Sequence, residues 1–256
     1  MPEFPGDWIV PEWPVCDHAG ALITTRTGGT SPPPFASLNL GFRVQDDRGA
    51  VSRNREIVRR FLPSEPRWLN QVHGTHVVQA DHITGDVDAD ASFSRVPGTV
   101  CTVMIADCLP VLLADRSGQV VAAAHAGWRG LAAGVIERTL EAMEVAPGNL
   151  VAFLGPAIGP DWFEVGPEVR EAFVLQDPNA EAAFVPLAGG KWLADLFRLA
   201  RQRLARAGVT TICGGGLCTA SDPARFFSHR RDRVSGRMAA FIWLRNQATD
   251  PVRPIY

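Results

Sequence analysis

The chain has 256 residues, 46% hydrophobic and 20% charged, enough apolar content to bury a sizeable core and too much for intrinsic disorder. Its 25 basic and 27 acidic residues leave a formal net charge of −2, which supplies no field for holding nucleic acid or an anionic membrane surface. Lys191 is the one lysine, so there is no GxxxxGK[ST] phosphate loop.

Residues 1–14, MPEFPGDWIVPEWP, show neither a basic n-region nor an apolar h-region, so no secretory leader is expected. Five scattered cysteines (Cys16, Cys101, Cys108, Cys213, Cys218) form no disulfide framework, and reduced thiols place the chain in the cytoplasm. No apolar run reaches the length of a membrane span. After a proline-rich start, residues 21–26 read as a strand, followed by a Gly/Pro loop at 27–34 and a helix over 46–62. Residues 67–80 are strand-like, interrupted by Gln71-Val72-His73-Gly74. The most apolar stretch follows, with strands at 99–106 and 111–114 separated by Asp107-Cys108-Leu109-Pro110, where the proline marks a break. A strand at 119–124 runs through His125-Ala126-Gly127-Trp128-Arg129-Gly130 into an amphipathic helix over 131–143. A short strand at 151–154, helices near 167–174 and 191–207, and a last strand at 238–244 complete the series. Strands and helices interleave without a regular period, which predicts mixed α and β structure in one domain spanning 1–256.

His73, Cys108 and His125 each sit where a loop meets an apolar strand, the place where rigid elements hold accessible side chains. Two imidazoles and a thiolate make a zinc ligand set, and three protein ligands leave the fourth tetrahedral position open for chemistry. The residues alone fit two hydrogen-bonded structural histidines and a small buried cysteine more readily than a metal site. The strand, glycine turn and helix start around Arg129 fit an anion, as they also fit plain close packing. Arg26 and the His229-Arg230-Arg231 run could reach a polar substrate or simply face solvent.

Several motifs occur together in a fixed order. They are Arg26-Thr27-Gly28-Gly29, Ser37-Leu38-Asn39-Leu40-Gly41, Asn70-Gln71-Val72-His73-Gly74 and Ala106-Asp107-Cys108-Leu109-Pro110. His125-Ala126-Gly127-Trp128-Arg129-Gly130, Gly155-Pro156-Ala157-Ile158-Gly159 and Phe226-Phe227-Ser228-His229-Arg230 follow. In these the chain resembles the YfiH family, called multicopper-oxidoreductase laccase-like or peptidoglycan editing factor. The resemblance implies an α+β fold: a single domain with two mixed β-sheets flanked by helices, in four layers α/β/β/α. It also implies that His73, Cys108 and His125 bind one metal and form the catalytic centre, with zinc as the cofactor and copper as the other possibility. Arg26, Asn39, Gln71, Arg129 and His229 are then expected to contact substrate.

The activity this resemblance implies is a zinc-dependent purine nucleoside phosphorylase, with adenosine deamination as a second reaction. The zinc deaminase signature H-x-E…P-C-x-x-C is absent, and no glutamate adjoins a ligand. Asp107 should point away from the Cys108 side chain, and Glu164 would matter only if its loop covers the site. Three alternatives stand beside it. A cell-wall precursor amidase would remove misincorporated serine, with Cys108 as ligand or nucleophile. A polyphenol oxidase would need copper, and six histidines with no second evident cluster make a poor oxygen-reducing set. A non-catalytic metal-binding protein is the third. The expected partners are a purine nucleoside and phosphate, with no nucleic acid, no membrane and no obligate protein partner.

Overall fold

The computed structural model describes residues 4–15 and 18–245, so Cys16 and the first three residues of the expected N-terminal segment lie outside the described residues. Three strands form a small antiparallel sheet in the order β1–β12–β4: β1 (Ala19–Ile23), β4 (Cys101–Ile105) and β12 (Met238–Leu244). A larger, mixed sheet has six strands in the order β11–β7–β5–β6–β3–β2. It contains β2 (Val77–Gln79), β3 (Ala91–Ser94), β5 (Leu109–Asp115), β6 (Val121–Ala126), β7 (Leu150–Leu154) and β11 (Thr211–Gly214).

The strand alternation explains how these sheets stack. On β5, Leu112 and Ala114 meet Ile23, Val103, Ile105, Ala240 and Ile242 of the small sheet in one buried cluster. Val111 and Leu113 point the other way. They pack with Leu131, Val135, Ile136, Leu140, Leu199 and Leu204, which lie on α2 (Trp128–Ala133), α3 (Val135–Met143) and α5 (Leu196–Arg206). The far face of the small sheet, Leu22, Ala239, Phe241 and Trp243, is covered by Val58 of α1 (Arg48–Arg59) with Trp8 and Phe61. Helix, sheet, sheet and helix make the expected four layers. The small sheet is antiparallel throughout, and a third sheet, β8 (Glu164–Val165), β10 (Trp192–Ala194) and β9 (Phe184–Pro186), stands apart beside α4 (Pro167–Val174).

Local chemistry sets the boundaries. Asp47 caps α1 by accepting from the Ala50 N–H at 2.7 Å, and Asp195 caps α5 through the Arg198 N–H at 2.9 Å. The helix expected from residue 191 therefore starts at Leu196, because residues 192–194 are taken by the third sheet. The helix expected over 131–143 is two helices, broken at Gly134, whose φ of 99° ends α2 in a left-handed cap. Pro110 lies inside β5 rather than in the break. It sits opposite His125, and its carbonyl accepts from the Gly155 N–H at 3.0 Å. The break is the three residues Ala106, Asp107 and Cys108, where the chain leaves the small sheet and joins the large one. Of the strand-like run 67–80 only β2 is a strand, while β3, β8, β9 and β11 lay hidden from the sequence pattern. No helix among the described residues is long and apolar enough to cross a membrane.

Candidate metal centre

The ligating atoms of His73, Cys108 and His125 all lie within 4.8 Å of one another, and among the described residues this is the cluster able to hold a metal ion. The three arrive from different segments: the loop before β2, the crossover between the two sheets, and β6. Cys108 Sγ lies 3.7 Å from His73 Nε2. The imidazoles meet edge to face, with centroids 4.9 Å apart at 75°.

Asp90, fully buried at the threshold of β3, holds the arrangement and escaped the sequence reading. Its Oδ1 accepts from His125 Nδ1 at 2.8 Å and from the His73 N–H at 2.9 Å. Its Oδ2 accepts from the N–H groups of Gly74 at 2.6 Å and Val72 at 3.2 Å. A histidine committed through Nδ1 presents Nε2 as its free, more basic ligand atom. The same carboxylate fixes the His73 loop, whose left-handed φ of 61° is a strained conformation for a residue with a side chain. Burial pushes the Asp90 carboxyl up, but the His125 hydrogen bond, the backbone N–H donors and the His125 charge outweigh it and leave it below its ordinary value.

Cys108 is subject to the same competition. Burial raises the thiol, while the charge and hydrogen bond of His125 and the contact with His73 bring it down to about 6. His125 moves oppositely: burial lowers it, and Cys108 and Asp90 raise it to about 9. The metal-free pair is thus a thiolate beside an imidazolium, and the thiolate is the form that binds metal. In metal-stripped protein, iodoacetamide labelling of Cys108 is expected to be fast above about pH 6 and to fall below it, because lowering the pKa keeps the thiolate populated to lower pH. Bound zinc should suppress it. Peptide mass spectrometry across the pH range checks this; a midpoint at the ordinary thiol value of roughly 8.5 would refute the pairing.

The residues also leave room for an ion. A Cβ on Gly127 would fall 2.9 Å from His73 Cδ2, 3.0 Å from Cys108 Sγ and 3.6 Å from His125 Cε1. All three side chains thus close on a spot that only a glycine leaves open. Gly127→Ala is expected to keep the fold, since φ −61° and ψ 153° suit alanine, and to weaken zinc binding about tenfold or more by displacing the ligands. Competition with a chromophoric chelator measures it; an unchanged affinity would mean the cradle does not constrain the ligands.

A cavity of about 390 Å³ opens on His73, Cys108 and His125. Of the expected substrate contacts, Gln71 and His229 line it. The Gln71 amide is already committed: Nε2 donates to the Met104 carbonyl at 2.9 Å and Oε1 accepts from its N–H at 2.7 Å. Asn39 is buried outside the cavity, donating to Asp46 at 2.8 Å and accepting from the N–H groups of Gly41 and Arg237 at 3.0 and 2.8 Å. Its place is to fix those two cavity residues. Arg26 donates to the carbonyls of Ala36 and Pro223 at 2.9 Å each and stacks on Phe227, so it braces its own loop away from the cavity. Arg129 is exposed and lies over the Trp128 ring at 4.3 Å.

Two arginines that the sequence reading did not single out do line the cavity, Arg43 and Arg237. Arg237 is set by its own turn, with Nη1 donating to the Ser235 and Gly236 carbonyls at 2.9 and 3.0 Å. Burial lowers its pKa, and the nearby Cys108 and Asp107 charges oppose that. Among the described residues, no carboxylate lines the cavity. Asp107 turns away as expected, accepting from Thr219 Oγ1 and the Arg230 N–H at 2.6 Å each, and so ties the Cys108 crossover to α6 (His229–Asp232). The Glu164 side chain is exposed, 3.8 Å from Lys191.

A family described as "Multi-copper polyphenol oxidoreductase laccase" matches residues 20–245. The chain is 54% identical over 240 residues to the purine nucleoside phosphorylase PA4543 of Pseudomonas aeruginosa strain PAO1, covering 93% of this chain and 99% of that protein. It is likewise 54% identical over 244 residues to the purine nucleoside phosphorylase YfiH of Escherichia coli K12, covering 92% and 98%. The crystal structure of Neisseria meningitidis protein NMB0706 superposes with a TM-score of 0.91 at 50% identity, covering 94% of this chain and 100% of that one.

Proposed function

Since the chain belongs to the multi-copper polyphenol oxidoreductase laccase family, we propose that it is a metal-dependent purine nucleoside phosphorylase, releasing free base and ribose 1-phosphate from inosine or adenosine. The observation that carries the reading is the cavity itself: two cationic side chains and no carboxylate beside a His, Cys, His donor set. Such a lining favours a phosphate dianion, and relatives with over half their residues identical bear the phosphorylase name. His73, Cys108 and His125 would hold the ion, with zinc the metal suited to two imidazoles and a thiolate. A zinc ion there supplies Lewis acidity toward a phosphate or water oxygen.

The rest is the work of the chain. Arg237, fixed by Asn39 and its own turn, would bind the phosphate, and Arg43 adds charge at the same wall. His125 is kept in one tautomer by Asp90. His229 stands at the rim, positioned through the Asp107 contact with the Arg230 N–H. The cysteines bridged to nothing among the described residues suit a reducing cytoplasm, which is the compartment we assign.

Deamination is the weaker partner reaction, because a water attacking the purine ring needs a carboxylate shuttle and the cavity wall has none. The test is release of hypoxanthine from inosine and adenine from adenosine by zinc-replete protein, with and without phosphate and a chelator. Phosphate-dependent release that the chelator stops is expected. No release from either nucleoside would overturn the reading and bring forward an amide hydrolase.

A further inference from the structure

A second cavity, of about 230 Å³, adjoins the metal cavity and shares with it a wall at Arg43 and Asn70. Its character is set by α1 and the aromatic rings that face it. Arg48 and Arg55 are two helical turns apart on one face of α1, and both guanidinium groups lie on the Phe42 ring, at 5.0 and 4.3 Å. Arg55 is also stacked on Trp68 at 3.7 Å, and its Nε donates to the Leu40 carbonyl at 3.0 Å.

The terminal nitrogens of Arg55 and the whole guanidinium of Arg48 have no hydrogen-bond or ion-pair partner among the described residues. Arg48 alone would be an ordinary solvated side chain. Arg55 is different: it is half-buried, clamped between two rings, and still presents a free fork of N–H donors. Desolvating a cation without a partner is costly, and it is tolerated where the partner is a ligand. Burial pulls Arg55 down to about 10 even against the charges of Glu65 and, in the lining of the recess itself, Asp86, and neither acid bonds its guanidinium. Asp86 is spread at 3.8 Å from Arg43 with its carboxylate open to solvent, and Glu65 is engaged by Arg59 and the Trp68 indole. Stacked, planar, unpaired guanidinium groups match the oxygens of a phosphoryl group.

We propose that the Arg48–Arg55 recess is a phosphoryl-binding subsite, filled by a phosphate monoester on the far end of the substrate. The recess opens off the cavity whose ligands do the chemistry, so a group seated there belongs to the part of the molecule remote from the reacting bond. That assignment to the substrate rests on the nucleoside reading above; capture of a phosphate dianion does not. An inorganic phosphate ion has the same chemistry, and the experiment separates the two sources.

Isothermal titration calorimetry on the zinc-replete full chain at low ionic strength would compare inosine 5′-monophosphate, inosine and inorganic phosphate. Binding of the monophosphate is expected to be about tenfold or more tighter than that of inosine, and R48E should erase the difference. Arg55→Met should do the same; if it fails to fold, the exposed Arg48 position carries the test alone. Inorganic phosphate binding that R48E weakens, with no advantage of the monophosphate over inosine, would keep the subsite and assign it to the free ion. Affinities for both phosphate species that are the same in folded R48E as in the parent would overturn the proposal. Monophosphate binding that depends on Arg48, with no cleavage of any nucleoside, would sink the phosphorylase reading and leave the subsite standing.

Discussion

Replacing Cys108 by alanine is expected to remove bound zinc and activity together while leaving the fold intact. The thiolate is the one anionic member of the donor set, and both imidazoles are oriented around it. Cys108 itself belongs to the crossover between the sheets and to no strand, and it is only half-buried, so its loss leaves the core untouched. If the metal supplies about 4 kcal/mol of transition-state stabilisation, activity should fall about a thousandfold. Metal analysis and initial rates on the same preparation check this. Loss of activity with zinc fully retained would overturn the role of Cys108 as a ligand and make it a nucleophile.

The second large effect is expected at Asp90. Replacing it with alanine leaves three loop N–H groups without their acceptor and releases the His125 ring, all beside a buried strand. Removing a buried, multiply hydrogen-bonded carboxylate costs about 3 kcal/mol or more, which in a chain of this size lowers the melting temperature by roughly 10 °C. Zinc affinity should fall about 10- to 100-fold as the histidine loses its orienting partner. The pH dependence has a definite sign. The folded Asp90 pKa is depressed below the ordinary 3.8 of an aspartate, so the stability it confers is complete above about pH 4 and is lost as pH falls through the folded value. Asp90→Asn should therefore be less stable than the parent near neutrality, with the gap closing in acid. Thermal unfolding of the metal-free proteins at several pH values measures it. A constant gap across that range would show that the carboxylate charge has no part in holding the loop.

The fold class was legible because its strands are written locally, and the clustering of His73, Cys108 and His125 was carried by the ordered motifs rather than by their spacing. Residues 111–114 and 121–124 are apolar without a break, and Cys108 and His125 stand beside these runs, while His73 falls in a loop within a strand-like stretch. Asp90 was not legible. The segment Asp86-Val87-Asp88-Ala89-Asp90 reads as a polar loop and stays one in the structure, where only the pairing of the next residues, Ala91–Ser94, with β6 brings Asp90 beside His125. Ser92 and Ser94 are buried in that strand, so the hydrophobic pattern that reveals strands is missing there. The cavity arginines were hidden for another reason. Arg237 precedes an apolar strand in a sequence context like that of many surface arginines, and only the long-range bond from its N–H to Asn39 places it. Arg26 and Arg129 drew notice through their glycine-rich neighbourhoods, yet their guanidinium groups serve a carbonyl pair and an indole ring.

The order β1–β12–β4 has a consequence for the timing of synthesis. The central strand of the small sheet is the last of its three to leave the ribosome, and β1 and β4 make no strand pairing with each other. Both must wait, edges open, until residues 238–244 arrive, and pairings of such long sequence separation close slowly. The Cys108 crossover runs between β4 and β5 and is tied through Asp107 to Thr219 and the Arg230 N–H, so its β4 side is expected to settle late, after His73 and His125 are synthesised. Metal binding at this cluster is thereby expected to come late in the life of each chain. A nascent polypeptide arrested before residue 238 should hold zinc no better than an unfolded peptide with the same three side chains.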